Sequence, residues 1–161
     1  MAKLPKEYQF LDLSDYGRTG GRWIAKQLKN TCFTPIHVTT LFIFAGLIAI
    51  GCMLNGYYKI AALFIILKSI LDAADGELSR LKNTPSYTGR YYDSIADIIL
   101  NFCFLLAFWH ITDSSIIYML IAFFGIQLQG TVYNYYYVIL RNAVEGDSTS
   151  RIFEDAAPKA L

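Results

Sequence analysis

Asp72, Asp75, Asp93 and Asp97 place four carboxylates within 26 residues, inside stretches that are otherwise apolar. A charge held in hydrocarbon costs roughly 2.5–3.5 kcal/mol on insertion scales, so four together call for a compensating cation. Their spacing says where they meet. Gly89, Asp93 and Asp97 recur at i, i+4 and i+8 and share one helix face. Asp72 and Gly76 share a face, with Asp75 about 60° to its side at 100° per residue. Asp72 lies eight residues before Arg80, and Asp97 lies eight after Gly89. In two antiparallel helices both would sit about 12 Å beyond their loop ends. Asp75 and Asp93 lie five and four residues in, matched in depth to each other. The four acids therefore form two layers across a helical hairpin. Oxygen ligands converging in this way suit a hard divalent cation, Mg²⁺ first, with Mn²⁺ or Ca²⁺ as alternatives. Two such ions balance four carboxylates.

The elements that must position them are membrane helices. The chain of 161 residues is 55% hydrophobic and only 17% charged, against roughly 25% charged in soluble domains; its mean hydropathy is +0.36. His37 to Leu54 is 18 residues without a formal charge, and Ile116 to Leu140 is 25 residues without Asp, Glu, Lys or Arg. Both reach the roughly 17–25 residues that cross a bilayer. Between them, Tyr57 to Ser79 and Gly89 to Ile111 are apolar at one end and carry the acids at the other. The expected fold is all-α, a polytopic integral membrane protein with four transmembrane helices. The segment Tyr16 to Leu28 mixes Trp23, Ile24 and Leu28 with Arg18, Arg22 and Lys26, which suits an interfacial amphipathic helix on an anionic leaflet; Gly17, Gly20 and Gly21 weaken its early part. The divisions are 1–34 for the N-terminal cytoplasmic and interfacial segment, 35–142 for the transmembrane domain and 143–161 for a cytoplasmic tail. No cleavable signal peptide is visible.

Lys and Arg set the orientation. Lys3, Lys6, Arg18, Arg22, Lys26 and Lys29 precede the first span; Arg80, Lys82 and Arg90 flank the 81–88 loop; Arg141, Arg151 and Lys159 follow the last span; Lys59 alone lies on the other side. The positive-inside rule puts both termini and the acidic hairpin's loop in the cytoplasm. Cys32, Cys52 and Cys103 have no metal-ligand spacing and read as apolar filler. Pro35 starts the first span, Asn55-Gly56 makes an outer turn, and Ser86 or Thr88 caps the helix that carries Asp93. Tyr133, Tyr135, Tyr136 and Tyr137 form an interfacial aromatic belt.

Several residues around the acids carry two readings. Gly76 and Gly89 permit close approach of a ligand or of another helix. Arg80, one turn from Gly76, clamps a phosphate or faces solvent. Lys68, one turn before Asp72, meets an anionic acceptor or pairs with Asp72. Glu77 and Asp113 fall outside the acidic set and read as interfacial or solvent-facing, and His37 reads as an interfacial polar residue.

The run Asp72-x2-Asp75-Gly76-x2-Ser79-Arg80-x8-Gly89-x3-Asp93-x3-Asp97 resembles the signature of the CDP-alcohol phosphatidyltransferases. Seven of its eight fixed positions match; Ser79 stands where alanine is usual. Thr34-Pro35-Ile36-His37-Val38-Thr39 resembles the family's Thr-Pro-Asn-x-x-Thr element, with Ile36 in place of asparagine. The resemblance spans roughly residues 15 to 145. The family has six transmembrane helices, so the last two are expected from another chain or from beyond this sequence.

The resemblance implies an enzyme of phospholipid biosynthesis that moves a substituted phosphate from a CDP-linked donor, such as CDP-diacylglycerol, to a small or lipid alcohol and releases CMP. It implies divalent metal on Asp72, Asp75, Asp93 and Asp97, and Asp97 as general base. The implied donor contacts are Gly76, Ser79, Arg80, Ser86, Gly89, Pro35 and Thr39. It also implies a homodimer in the membrane and no nucleic-acid partner. Two other classes fit parts of the sequence: a divalent-cation transporter, and a non-catalytic fragment of the transferase. The transporter fits less well, because no acid continues the path through the first or last span.

Overall fold

The computed structural model describes Glu7, residues 16–84 and residues 86–144. The expected tail from residue 145, with Arg151 and Lys159, and the basic Lys3 and Lys6 lie outside the described residues. Five helices follow in order: α1 (Arg18–Leu28), α2 (Pro35–Leu54), α3 (Tyr58–Lys82), α4 (Tyr87–Thr112) and α5 (Ile116–Ala143). No strand occurs among the described residues. Three helices, α2, α4 and α5, are long and apolar enough to cross a membrane. The expectation was four. In α3, Lys59, Lys68, Asp72, Asp75, Glu77, Arg80 and Lys82 interrupt the apolar sequence.

The helix ends have local causes. Thr34 caps α2: its hydroxyl accepts from His37 N, while His37 Nδ1 accepts from Thr34 N at 3.1 Å, with Pro35 opening the helix. His37 is thus the reciprocal half of a cap. Asn83 ends α3 in the left-handed region, at φ 51°, a conformation asparagine tolerates. Lys82 Nζ donates to Thr31 O and Phe33 O at 2.7 and 2.6 Å, tying the connection between α1 and α2 to the end of α3. Of the two proposed caps for α4, Ser86 is the one used, accepting from Gly89 N at 3.0 Å. Gly56 makes the turn after α2 at φ 78°.

Two compact units divide the chain, residues 13–123 and residues 1–12 with 124–161. The second holds the described part of α5 from Phe124, including the stacked rings of Tyr133 and Tyr137, 5.8 Å apart. The first holds all of the acidic residues of the motif. Within it, α2 packs against both α3 and α4. Val38 buries against Ala74 and Leu78, whereas Phe42 buries against Ala96 and Leu100. No Cα of α3 comes within 8 Å of one in α4. The hairpin expected from the spacing is therefore open, with α2 against both of its arms and its side chains facing across a cleft.

α1 runs beside α3 in the same chain direction. Tyr16 Oη donates to Ser69 Oγ at 2.8 Å, Gly21 lies against Ala73 and Ala74, and Arg22 reaches Glu77. A Cβ on Gly21 would come within 2.9 Å of Ala73 C and Ala74 N. The glycines that lower α1's helix propensity are what bring its backbone onto α3. In a lipid setting such contacts rest on close packing, since lipid tails are as apolar as the side chains.

Candidate active site

Three of the four aspartates gather in the cleft. Asp72 and Asp75 of α3 and Asp93 of α4 each offer a carboxylate oxygen, and these atoms lie within 4.8 Å of one another. Helical periodicity accounts for the convergence, because each side chain points from its own helix into the gap between α3 and α4. Asp75 is buried, and Asp72 and Asp93 are partly buried. Among the described residues, Asp93 Oδ1 is buried without a hydrogen-bond partner. A buried carboxylate oxygen in that state lacks what a metal ion supplies. Clustered hard oxygens together with this orphaned atom fit a divalent cation.

Thr39, expected as a donor contact, is 2% exposed. Its hydroxyl donates to Asp75 Oδ2 at 2.7 Å and also lies 3.1 Å from Pro35 O. The residue orients a carboxylate of the cluster from the adjoining turn of α2, as outer partners of metal ligands do. Pro35 sits at the start of that helix.

Asp97 stands apart from the other three. Its Oδ1 pairs with Lys68 Nζ, whose ammonium also lies 5.1 Å from the centre of the Phe42 ring. The spacing pointed to four acids at one point, with Lys68 meeting Asp72 or an acceptor. Lys68 pairs with Asp97 rather than with Asp72, reaching across the cleft from α3 to α4 over an aromatic face supplied by α2. An ammonium on an aromatic face and a carboxylate is well accommodated at depth.

Gly76 carried two readings in the sequence, close approach of a ligand and packing of a helix. Among the described residues, a Cβ built there meets only Arg80 Nη1, at 3.9 Å. No described helix packs on this glycine, so the roughly 1 kcal/mol it costs within a helix is not recovered by close packing. What it leaves is open space in front of α3, on the same face as Asp72. Gly89 differs: a Cβ there would stand 2.8 Å from Ser86 Oγ, so its small size accommodates the capping hydroxyl of α4. Ser79 Oγ contacts Thr84 O at 3.4 Å, near the end of α3.

Glu77 carried an interfacial or a solvent-facing reading, and the second does not hold. It is 5% exposed, not solvent-facing. Arg80 Nη2 donates to its Oε2 at 2.7 Å and Arg80 Nε to the same oxygen at 3.3 Å, while Arg22 Nε of α1 lies 3.7 Å from Oε1. The i, i+3 spacing to Arg80 was a usable signal; nothing in the sequence pointed to Arg22. Asp113 is exposed as expected, closing α4 at φ 49°.

The cleft thus combines an oxygen cluster fitted to a divalent cation, an open patch over a helical glycine, a guanidinium at its edge and a carboxylate set apart beside a lysine. Such a set can hold a metal-bound diphosphate next to a base. No curated protein matches the chain. The family pattern described as CDP-alcohol phosphatidyltransferase matches residues 32–150, a stretch that contains every residue of the cleft, and the chain belongs to that family.

Proposed function

We propose that this protein transfers a substituted phosphate from a CDP-linked donor to an alcohol, with release of CMP, as a divalent-metal-dependent enzyme of phospholipid synthesis. The observation that carries the reading is the convergence of Asp72, Asp75 and Asp93 beside the unfilled space over Gly76, within the segment that matches the family.

Asp72, Asp75 and Asp93 would hold the metal, with Asp97 joining them. A divalent ion bound there, Mg²⁺ by preference and as a pair in the loaded site, would neutralise the diphosphate and the developing charge on the leaving group. The remaining work belongs to the chain. Thr39 keeps the Asp75 carboxylate aimed into the cleft. Gly76 admits the diphosphate against the backbone of α3, and Arg80 binds its oxygens. Asp97 takes the proton of the acceptor hydroxyl. The acceptor oxygen forms a bond to the transferred phosphorus, the bond from that phosphorus to the bridging oxygen breaks, and the electron pair leaves with CMP. Lys68 holds Asp97 on the acceptor side until the site is loaded.

In the membrane, we read α3 as a fourth span in addition to α2, α4 and α5. Its outer half presents Ile60, Leu63, Ile66 and Leu67 outward, while most of its charges lie toward the other end. Residues 35–142 then form the transmembrane catalytic domain, with 1–34 before it and 143–161 as a tail. The termini and the cleft face the cytoplasm, where Lys and Arg concentrate. α1 keeps Trp23 and Lys26 exposed opposite its contact with α3, a face suited to the leaflet surface. The resemblance extends to a homodimer.

The test is CMP release by the purified chain in lipid or detergent. CDP-diacylglycerol, or CDP-choline with diacylglycerol, is offered against a panel of alcohols with Mg²⁺. Products are identified by mass spectrometry. Activity with one donor and its complete loss in excess EDTA support the reading. No CMP release with any pairing, or release that persists in EDTA, refutes it.

A further inference from the structure

We infer that Glu77 is a positioning residue for the donor: it grips one edge of the Arg80 guanidinium and so holds the opposite edge over the open space at Gly76. The inference rests on the transferase reading and assigns a role to a residue outside the family's signature.

The guanidinium has two edges. Nε and Nη2 of Arg80 both contact Glu77 Oε2, at 3.3 and 2.7 Å. Nη1 is the atom nearest to a Cβ built on Gly76, at 3.9 Å. The edge engaged by Glu77 therefore faces away from the cleft, and the edge that carries Nη1 faces the space a diphosphate would fill. A free arginine side chain samples many rotamers, and fixing it on binding costs conformational entropy. A grip present before the donor arrives removes that cost.

Burial makes the grip firm. The Glu77 side chain is 7% exposed and that of Arg80 is 19% exposed. A buried carboxylate is tolerated only when paired, so Glu77 stays on its cationic partners. Its second oxygen, Oε1, lies 3.7 Å from Arg22 Nε of α1. Arg22 also answers the objection that an acid beside Arg80 would cancel the charge a phosphate needs. The trio of two arginines and one glutamate keeps one net positive charge. It further couples α1 to the donor site, because the helix packed along α3 supplies the second cation.

The experiment measures binding of cytidine diphosphate, with Mg²⁺, to the full chain in detergent. Wild type is compared with Glu77→Ala, Glu77→Gln, Arg80→Ala and the double variant Glu77→Ala/Arg80→Ala. Removing the grip should weaken binding about tenfold, the lower range for a hydrogen bond to a charged group. The same change in the Arg80→Ala background should cost nothing further, because Glu77 acts only through Arg80. In turnover, the donor KM should rise while the acceptor KM holds. Glu77→Gln is isosteric, keeps an acceptor oxygen and serves if Glu77→Ala does not fold; its loss should be about threefold, half as large in free energy, and again absent without Arg80. Binding by Glu77→Ala and Glu77→Gln equal to wild type, or a loss that persists undiminished in the Arg80→Ala background, overturns the inference and leaves the transferase reading standing. A wild-type chain that binds no cytidine diphosphate overturns both.

Discussion

Replacing Gly76 with alanine should make the protein more stable and a poorer enzyme. Within a helix, alanine is favoured over glycine by about 0.8–1 kcal/mol. Among the described residues the new methyl meets only Arg80 Nη1, at 3.9 Å, which is ordinary contact distance, so no described contact offsets that gain. For a chain of this size the gain corresponds to a rise in thermal midpoint of about 2–4 °C. The methyl fills space reserved for the diphosphate. Overpacking a fitted contact costs about 1–3 kcal/mol, or a roughly 5- to 150-fold rise in donor KM. Gly21→Ala is the control, because the same propensity gain is overwhelmed there by contacts of 2.9 Å with the backbone of Ala73 and Ala74, and stability should fall. Thermal unfolding in detergent and CMP release at varied donor concentration provide the two readouts. A Gly76→Ala variant that is destabilised would mean that something packs on this glycine. One that is stabilised with an unchanged donor KM would mean that the space in front of it is not where the donor binds.

Three other outcomes follow from the same cleft. Asp97→Asn should abolish CMP release yet bind cytidine diphosphate within a few-fold of wild type, since it removes the proton acceptor and leaves the Asp72, Asp75 and Asp93 cluster in place; near-normal turnover would remove Asp97 from the base role. Thr39→Val deletes the hydroxyl 2.7 Å from Asp75 Oδ2 at nearly constant volume and should weaken Mn²⁺ binding about 10- to 100-fold, as loss of an outer partner of a metal ligand does; titration followed by the Mn²⁺ resonance signal checks it, and unchanged affinity would refute the assignment. The same titration on wild type should show tighter Mn²⁺ loading with cytidine diphosphate than without it; equal loading would contradict the coupling argued below.

Periodicity made much of this cleft readable. The i, i+4 repeat that aligns Gly89, Asp93 and Asp97 belongs to α4 alone, and the face it defines does not depend on neighbours. For the same reason a convergence of acids was visible from spacing and loop position, although the spacing brought all four together in two layers, whereas the structure gathers Asp72, Asp75 and Asp93 and pairs Asp97 with Lys68. Burial around the rest depended on which helix covers each flank. Glu77 looked like a solvated charge because nothing local says that α1 runs along α3 and places Arg22 beside it. Gly17 and Gly21 looked like weak points of a surface helix, although their lack of a side chain is what permits that packing. The open hairpin was hidden likewise: turn chemistry fixes that α3 and α4 return on each other, but not that α2 packs on both and that their backbones stay apart.

These long-range pairs also set the charge the cleft must balance. Lys68 is paired with Asp97, and Arg80 and Arg22 with Glu77, so these bases serve the acids outside the three-aspartate cluster. The orphaned Asp93 Oδ1 puts the demand for a cation on the side of Asp72, Asp75 and Asp93. In the transferase reading a donor diphosphate would bring further negative charge to that same side. The donor-bound cleft would then ask for more positive charge than the resting one, and metal loading and donor binding would favour each other.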